Sequence, residues 1–155
     1  MSHMPDDLTF MMGKHAARLP ADVRYARNHM WAREVDGRWA FGFSAYAVRL
    51  MQDVYFLDWS VDDGAELALK QQIGHIETSK AVSDLYAPIA GTMTRINRDL
   101  LKDPSAINVD GYGRGRLFEM TGDAADLMDA AGYVPFLEVE WAKAQRVIKS
   151  QILKG

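Results

Sequence analysis

The sequence predicts a mainly β domain with terminal helices, folded as a small sandwich or flattened barrel. Three observations carry this. Short apolar runs recur between turn signals at roughly eight- to twelve-residue intervals. An Asp-Gly pair, Asp36-Gly37, separates two such runs as a tight hairpin turn would. Beyond residue 123 the apolar spacing turns from strand-like to helical. The 155 residues, 48% of them apolar, are enough for one core-forming domain.

Residues 1–20 read as an N-terminal arm, loose or briefly helical, with Phe10, Met11 and Met12 able to cover a core edge; Ser2-His3-Met4 looks like a cloning remnant. Residues 21–122 form the main domain. Arg24-Tyr25 and His29 to Ala32 lead into the Asp36-Gly37 turn, and Trp39 to Phe43 returns as the second hairpin strand. A short helix is predicted over Ala45 to Met51, then the run Val54 to Leu57, a turn at Asp62-Asp63-Gly64 and an extended Leu67 to Leu69. Gln72 to Thr78 and Ala81 to Tyr86 form strands around Ser79-Lys80, which places Lys80 at a hairpin tip. Thr92 to Asn97 follows, then a polar loop through Pro104 and Asn108, a glycine-rich turn from Gly111 to Gly115, and a strand from Leu117 to Met120. Residues 123–155 are predicted to form helices packing on the same domain: a short one over Asp123 to Ala131, and a second with Pro135 in its first turn. Val134, Leu137, Trp141, Ala144, Ile148 and Ile152 mark its apolar face.

Composition excludes several functions. Net charge is −3 with both signs mixed, so neither nucleic acid nor an anionic membrane surface is an expected partner. There is no cysteine, which removes disulfides, thiolate metal sites and a cysteine nucleophile. No apolar run approaches the roughly 18 residues of a membrane span and no signal-peptide core is present, so a cytoplasmic location is expected. His15, His29 and His75 lack metal-ligand spacing, Ser44 lacks a nucleophile-elbow context, and the glycines of residues 111–115 do not open a dinucleotide-binding unit. Neither a catalytic residue nor a metal site is expected. Trp31, Trp39, Trp59 and Trp141 read as core or edge packing.

Lys80 is the residue left to explain. A hairpin tip fixes a backbone while leaving the side chain free, which suits a lysine whose acylation turns it into a tether. The run GHIETSKAVSDLYAPIAG, Gly74 to Gly91, closely resembles the lipoyl-lysine hairpin of glycine cleavage system H proteins, approximately G-x-x-E-S-V-K-A-x-S-D-x-Y-A-P-x-x-G. RYARNHMWA echoes that family's Y-x-x-x-H-E-W, GFSAYAVRLMQDVYFL its G-I-T-x-Y-A-x-x-x-L-G-D-V-V-F-V, and NRDLLKDPSAINVDGYGRG its N-x-x-L-x-x-x-P-x-L-x-N-x-x-P-Y-G-x-G. The likeness runs in register from about Arg24 to Tyr133. It implies a lipoyl-domain-type barrel-sandwich hybrid and a non-catalytic carrier with lipoate in amide linkage on Lys80. It also implies that Glu77, Ser79, Ala81 and Asp84 are the surroundings by which a lipoate ligase or lipoyl transferase recognises the hairpin. The cofactor supplies the chemistry and the protein supplies placement.

Some positions depart from the family pattern. Met30 stands where the glutamate of His-Glu-Trp is usual, Gln52 replaces the glycine of Leu-Gly-Asp, and Arg114 and Arg116 occupy the glycine loop. Met30, Arg114 and Arg116 are read as an altered docking surface. Methionine cannot neutralise a cationic adduct, and the arginines suit an acidic partner or an anionic adduct. These changes are similar to those expected of lipoate-binding proteins in the heterodisulfide-reductase-like sulfur-oxidation pathway. That resemblance implies a carrier in sulfur oxidation, working with a heterodisulfide-reductase-like complex and reoxidised by dihydrolipoamide dehydrogenase. The alternative is an H protein of glycine cleavage, carrying the aminomethyl group between glycine decarboxylase and aminomethyltransferase. A lipoyl relay in cofactor delivery is a further alternative.

Overall fold

Alternation along each strand sorts side chains to two faces, and in this chain both faces of one sheet are covered. A computed structural model describes residues 6–154, with side chains up to residue 147, so Ser2, His3 and Met4 lie outside the described residues. Antiparallel strands β3 (Arg24–Tyr25), β4 (Met30–Val35), β5 (Arg38–Phe43), β7 (Glu66–Leu67), β10 (Gly91–Ile96) and β11 (Phe118–Gly122) form one sheet in the order β3-β4-β5-β11-β10-β7. A second sheet, β6-β8-β9, joins β6 (Val54–Trp59), β8 (Gln72–Thr78) and β9 (Val82–Tyr86). Phe41, Met93, Phe118 and Met120 of the first meet Leu57, Ile73, Ile76 and Leu85 of the second in one core cluster. The helix α1 (Ala45–Met51) connects the two sheets, capped by Ser44 Oγ, which accepts from the Ala47 N–H.

The start of β4 shows the sorting well. Met30, Trp31 and Ala32 are all buried, yet Met30 and Ala32 join the inter-sheet core while Trp31 joins a second cluster on the outer face. Trp31 lies over Gly42, its cross-strand partner, where an added Cβ would come within 2.6 Å of the indole.

What covers that outer face corrects two expectations. The N-terminal segment is a β-hairpin, β1 (Leu8–Met12) and β2 (His15–Leu19), instead of a loose arm or short helix. Phe10, Met12, Ala17 and Leu19 point inward at every second position, and Gly13, at φ 63°, opens the two-residue turn. Reading Phe10 to Met12 as one apolar block conceals this alternation. At the other end a single helix, α4 (Ala130–Lys154), replaces the expected pair. Residues 123–129 are extended or turned. Met128 and Tyr25 exchange backbone hydrogen bonds of 2.7 and 2.8 Å, and Asp129 Oδ1 accepts from the Gly132 N–H at the start of α4. Pro135 therefore lies inside the helix, not in its first turn. Leu137 is buried and Val134, Trp141 and Ala144 are half-buried, while the side chains of Ile148 and Ile152 lie outside the described residues.

The expected polar loop around Pro104 also differs, because it holds two short helices, α2 (Asp99–Lys102) and α3 (Ala106–Val109), with Pro104 between them. Their buried residues Leu100, Ala106 and Ile107 supply the inward contacts that a polar reading overlooks. Among the described residues no helix is long and apolar enough to cross a membrane.

Candidate functional site: the lysine hairpin and its supports

Strands β8 and β9 pair with Glu77 opposite Val82 and His75 opposite Asp84, leaving Ser79 and Lys80 as the tip. Neither tip residue has a positive φ, unlike Asp36 and Gly37 in the β4-β5 turn at 52° and 80°. A threonine does the work instead. Thr78 Oγ1 accepts from the Lys80 N–H at 3.2 Å and the Ala81 N–H at 3.3 Å, and donates to the Ala81 carbonyl at 3.2 Å. The Thr78 N–H closes the ladder onto the same carbonyl at 2.9 Å.

The tip is also tied to the neighbouring strand. The Ser79 N–H donates to the Asp53 carbonyl at 2.9 Å, and the Asp53 N–H donates to Ser79 Oγ at 3.2 Å. Asn108 of α3 braces Asp53 from both sides, donating to the Gln52 carbonyl at 2.6 Å and accepting from the Val54 N–H at 2.9 Å. Gln52 sits at φ 61°, in the left-handed region that favours glycine, so the residue that replaces the family's glycine carries local strain. Sequence reasoning missed Asp53, Thr78 and Asn108. A threonine two residues before Lys80 was a readable turn signal, whereas Asn108 is 54 residues from Val54 and no local pattern connects them.

Lys80 itself is exposed, and among the described residues no carboxylate lies within ion-pair distance of its ammonium. Ser79, Ala81, Glu77 and Asp84 are exposed around it. Glu77 and Asp84 share the outward face of the small sheet, together with Phe56, whose ring lies 5.6 Å from that of His75. A bulge between Val54 and Phe56 leaves Tyr55 and Phe56 exposed, at 64% and 45%. Removing the Asn108 brace should loosen this tip. For Asn108→Ala the expected outcome is about 1–2 kcal/mol lower stability in denaturant titration. Time-resolved intact-mass measurement should also show slower acylation of the lysine.

The expected docking residues separate. Arg114 and Arg116 are exposed on the glycine loop, but Met30 is 1% exposed in the inter-sheet core and lines no docking surface. It is paired across the ladder with Phe43, and Met30 and Phe43 belong to the same cluster. The altered surface read from Met30, Arg114 and Arg116 together is thereby reduced to the two arginines.

Its neighbour His29 serves packing. At φ 69°, it places Nδ1 2.8 Å from the Tyr133 hydroxyl, which lies 3.0 Å from Ser44 Oγ, so α4 is joined to the start of α1. Burial among Tyr46, Tyr133 and Phe136 lowers the His29 pKa, against a smaller opposing pull from Glu140. The folded chain thus resists a proton that the unfolded chain accepts near its ordinary value. Stability should fall as pH drops from about 7 to about 5, and the slope should flatten in His29→Gln, as followed by denaturant titration across pH.

The family model for glycine cleavage H-protein matches residues 23–140. The chain belongs to the glycine cleavage H-protein family. A glycine cleavage system H protein of Pseudoalteromonas atlantica is 40% identical over 129 residues, covering 80% of this chain and 99% of that protein. One of Chromobacterium violaceum is 40% identical over 122 residues, covering 76% and 94%. The crystal structure of a glycine cleavage system H protein from Mycobacterium marinum superposes with a TM-score of 0.66 at 28% identity, covering 82% of this chain and 98% of that one. Membership makes the chain a lipoyl carrier and not a catalytic enzyme, with lipoate held covalently on a lysine. The mainly β barrel-sandwich architecture agrees with that family.

Proposed function

We propose that Lys80 is the lipoylated lysine and that the chain acts as the H protein of a glycine cleavage system. The observation that carries the proposal is an exposed lysine without an ion partner among the described residues, on a tip held by Thr78 and Asp53, within the family's hairpin motif. The site fits lipoate: acylation of Lys80 breaks no ion pair among the described residues, and the turn is held by other side chains and backbone. When attached, lipoate supplies a dithiolane that opens and recloses by thiol-disulfide exchange. The protein's part is to hold the Lys80 backbone still, keep its side chain in solvent, and present Glu77, Ser79, Ala81 and Asp84 to the lipoate ligase or lipoyl transferase.

Glycine decarboxylase, aminomethyltransferase and dihydrolipoamide dehydrogenase are the partners this reading names, because the relatives of similar length are glycine cleavage H proteins. Sulfur oxidation with a heterodisulfide-reductase-like complex has no support among those relatives, and with Met30 in the core it loses its main sequence argument. Nothing favours a cofactor-delivery relay. The test is glycine-dependent carbon dioxide release by glycine decarboxylase in the presence of the lipoylated chain. Turnover is expected, and its absence with an active decarboxylase would remove the glycine cleavage assignment.

A further inference from the structure

Apolar side chains crowd the water-facing side of the lysine hairpin. Among the described residues eleven large hydrophobic side chains are exposed, and four of them, Tyr55, Phe56, Val82 and Tyr86, fall on β6 and β9, the two outer strands of the small sheet. Single exposed apolar residues are ordinary, whereas a group beside a reactive lysine calls for a contact. Phe56 is the cross-strand partner of Glu77 and Glu77 that of Val82, so the three form one row on the outward face, the last before Thr78 and Ala81 close the tip. Tyr55 stands next to this row, two residues beyond the Asp53 that holds Ser79. Tyr55, Phe56 and Val82 are 64%, 45% and 65% exposed, while the inward face is filled by Leu57, Ile76 and Leu85. Tyr86 lies apart, at the far end of β9 opposite Gln72.

The collar is held in place before any partner arrives. The Phe56 ring rests 5.6 Å from that of His75, and Asn108 braces the strand through the Gln52 carbonyl and the Val54 N–H. Little order is then lost on docking. Charge is one-sided here: residues 53–59 and 72–86 hold Asp53, Asp58, Glu77 and Asp84, and no lysine or arginine except Lys80 itself. None of the four carboxylates pairs with a lysine or arginine among the described residues. Reach decides which partner fits. The Lys80 amine ends a four-carbon stem, so an enzyme that acylates it must bring its reaction centre within that length of the backbone and set its rim on the row below the tip. The finished arm carries its dithiolane beyond an amide and a further acyl chain. Enzymes that work on the dithiolane can stand clear of these strands.

We propose that Tyr55, Phe56 and Val82 form the apolar docking collar for lipoate ligase, with Glu77 between the last two, and that they set the ligase's affinity for the unmodified chain. The inference rests on Lys80 being the lipoylated residue and adds which side chains the ligase grips. In the step served, the Lys80 amine gives up a proton to a base of the enzyme and attacks the carbonyl carbon of an activated lipoyl anhydride; the C–N bond forms as the bond to the leaving oxyanion breaks. The test measures ligase kinetics by intact mass on unmodified wild type, Phe56→Thr/Val82→Thr and Tyr55→Thr. Threonine keeps strand propensity, and equal denaturation midpoints verify the fold. Leu69→Thr, which removes an equally exposed apolar side chain at the opposite end of β8, is the control. The double variant should raise the ligase KM roughly tenfold with kcat kept, and Tyr55→Thr should shift KM in the same direction. Acylation of Lys80 by acetic anhydride, which needs no docking, should proceed at the wild-type rate in every variant. Chains lipoylated to completion with excess ligase should keep the wild-type KM for lipoamide dehydrogenase. A ligase KM within about twofold of wild type for the double variant, or an equal loss in Leu69→Thr, refutes the collar. So does a matching loss with acetic anhydride, which would place the effect in the lysine, or with lipoamide dehydrogenase, which would make the surface a general one. A wild type that the ligase leaves at its bare mass would instead overturn the reading of Lys80, and the collar with it.

Discussion

Lys80→Arg is expected to leave the chain at its bare polypeptide mass after incubation with lipoate and lipoate ligase, while wild type gains one lipoyl group. Arginine preserves charge and approximate length, but its guanidinium does not form the amide. The substitution should barely alter the fold. The turn is made by the Thr78 hydroxyl, the Ser79 bonds to Asp53 and the Lys80 backbone N–H, none of which involves the lysine side chain. A stability change within about 0.5 kcal/mol is expected by thermal or denaturant unfolding. Carriage should be lost completely, since Lys14, which also stands in a hairpin turn between β1 and β2, lacks the surrounding run from Gly74 to Gly91 that marks Lys80. Persisting mass gain in Lys80→Arg would move the modification elsewhere. Absence of gain in wild type would end the carrier reading of this position.

Met30→Glu should be severely destabilising, the reverse of what a docking-surface residue predicts. Met30 is 1% exposed in a cluster made entirely of hydrophobic residues. A carboxylate there must either shed its charge or be buried without a counter-ion, and a loss of roughly 3–5 kcal/mol is expected. Met30→Leu, which keeps the volume and polarity, should cost less than about 1.5 kcal/mol. Denaturant titration at neutral pH of the three chains decides the matter. A glutamate variant as stable as wild type would mean that position 30 reaches solvent and would restore it to a working surface.

The contrast between positions 30 and 80 shows which parts of the chain were legible. Lys80 lies in a contiguous motif between alternating strands, and hairpins are local, so register and tip followed from the strand pattern. The Asp36-Gly37 turn and the α1 boundaries, Ala45 to Met51, were readable for the same reason. Met30 also sits in a strand, but whether its face was inner or outer depended on what packed above, and the covering hairpin and α4 come from opposite ends of the chain. The two short helices around Pro104 were missed because four-residue helices give too few turns for periodicity to register.

Local chemistry, carried in the order of residues, was enough to specify a β scaffold, one tip, one lysine and the family to which they belong. Long-range packing decided the rest: that Met30 is core, that Asn108 holds the tip through Asp53, and that Arg114 and Arg116 gather with Arg95, Arg98 and Lys102 around two clefts. The physical reason is that side-chain alternation and turn preference act over a few neighbouring residues. Burial and charge clustering depend on which distant segments the folded chain brings into contact.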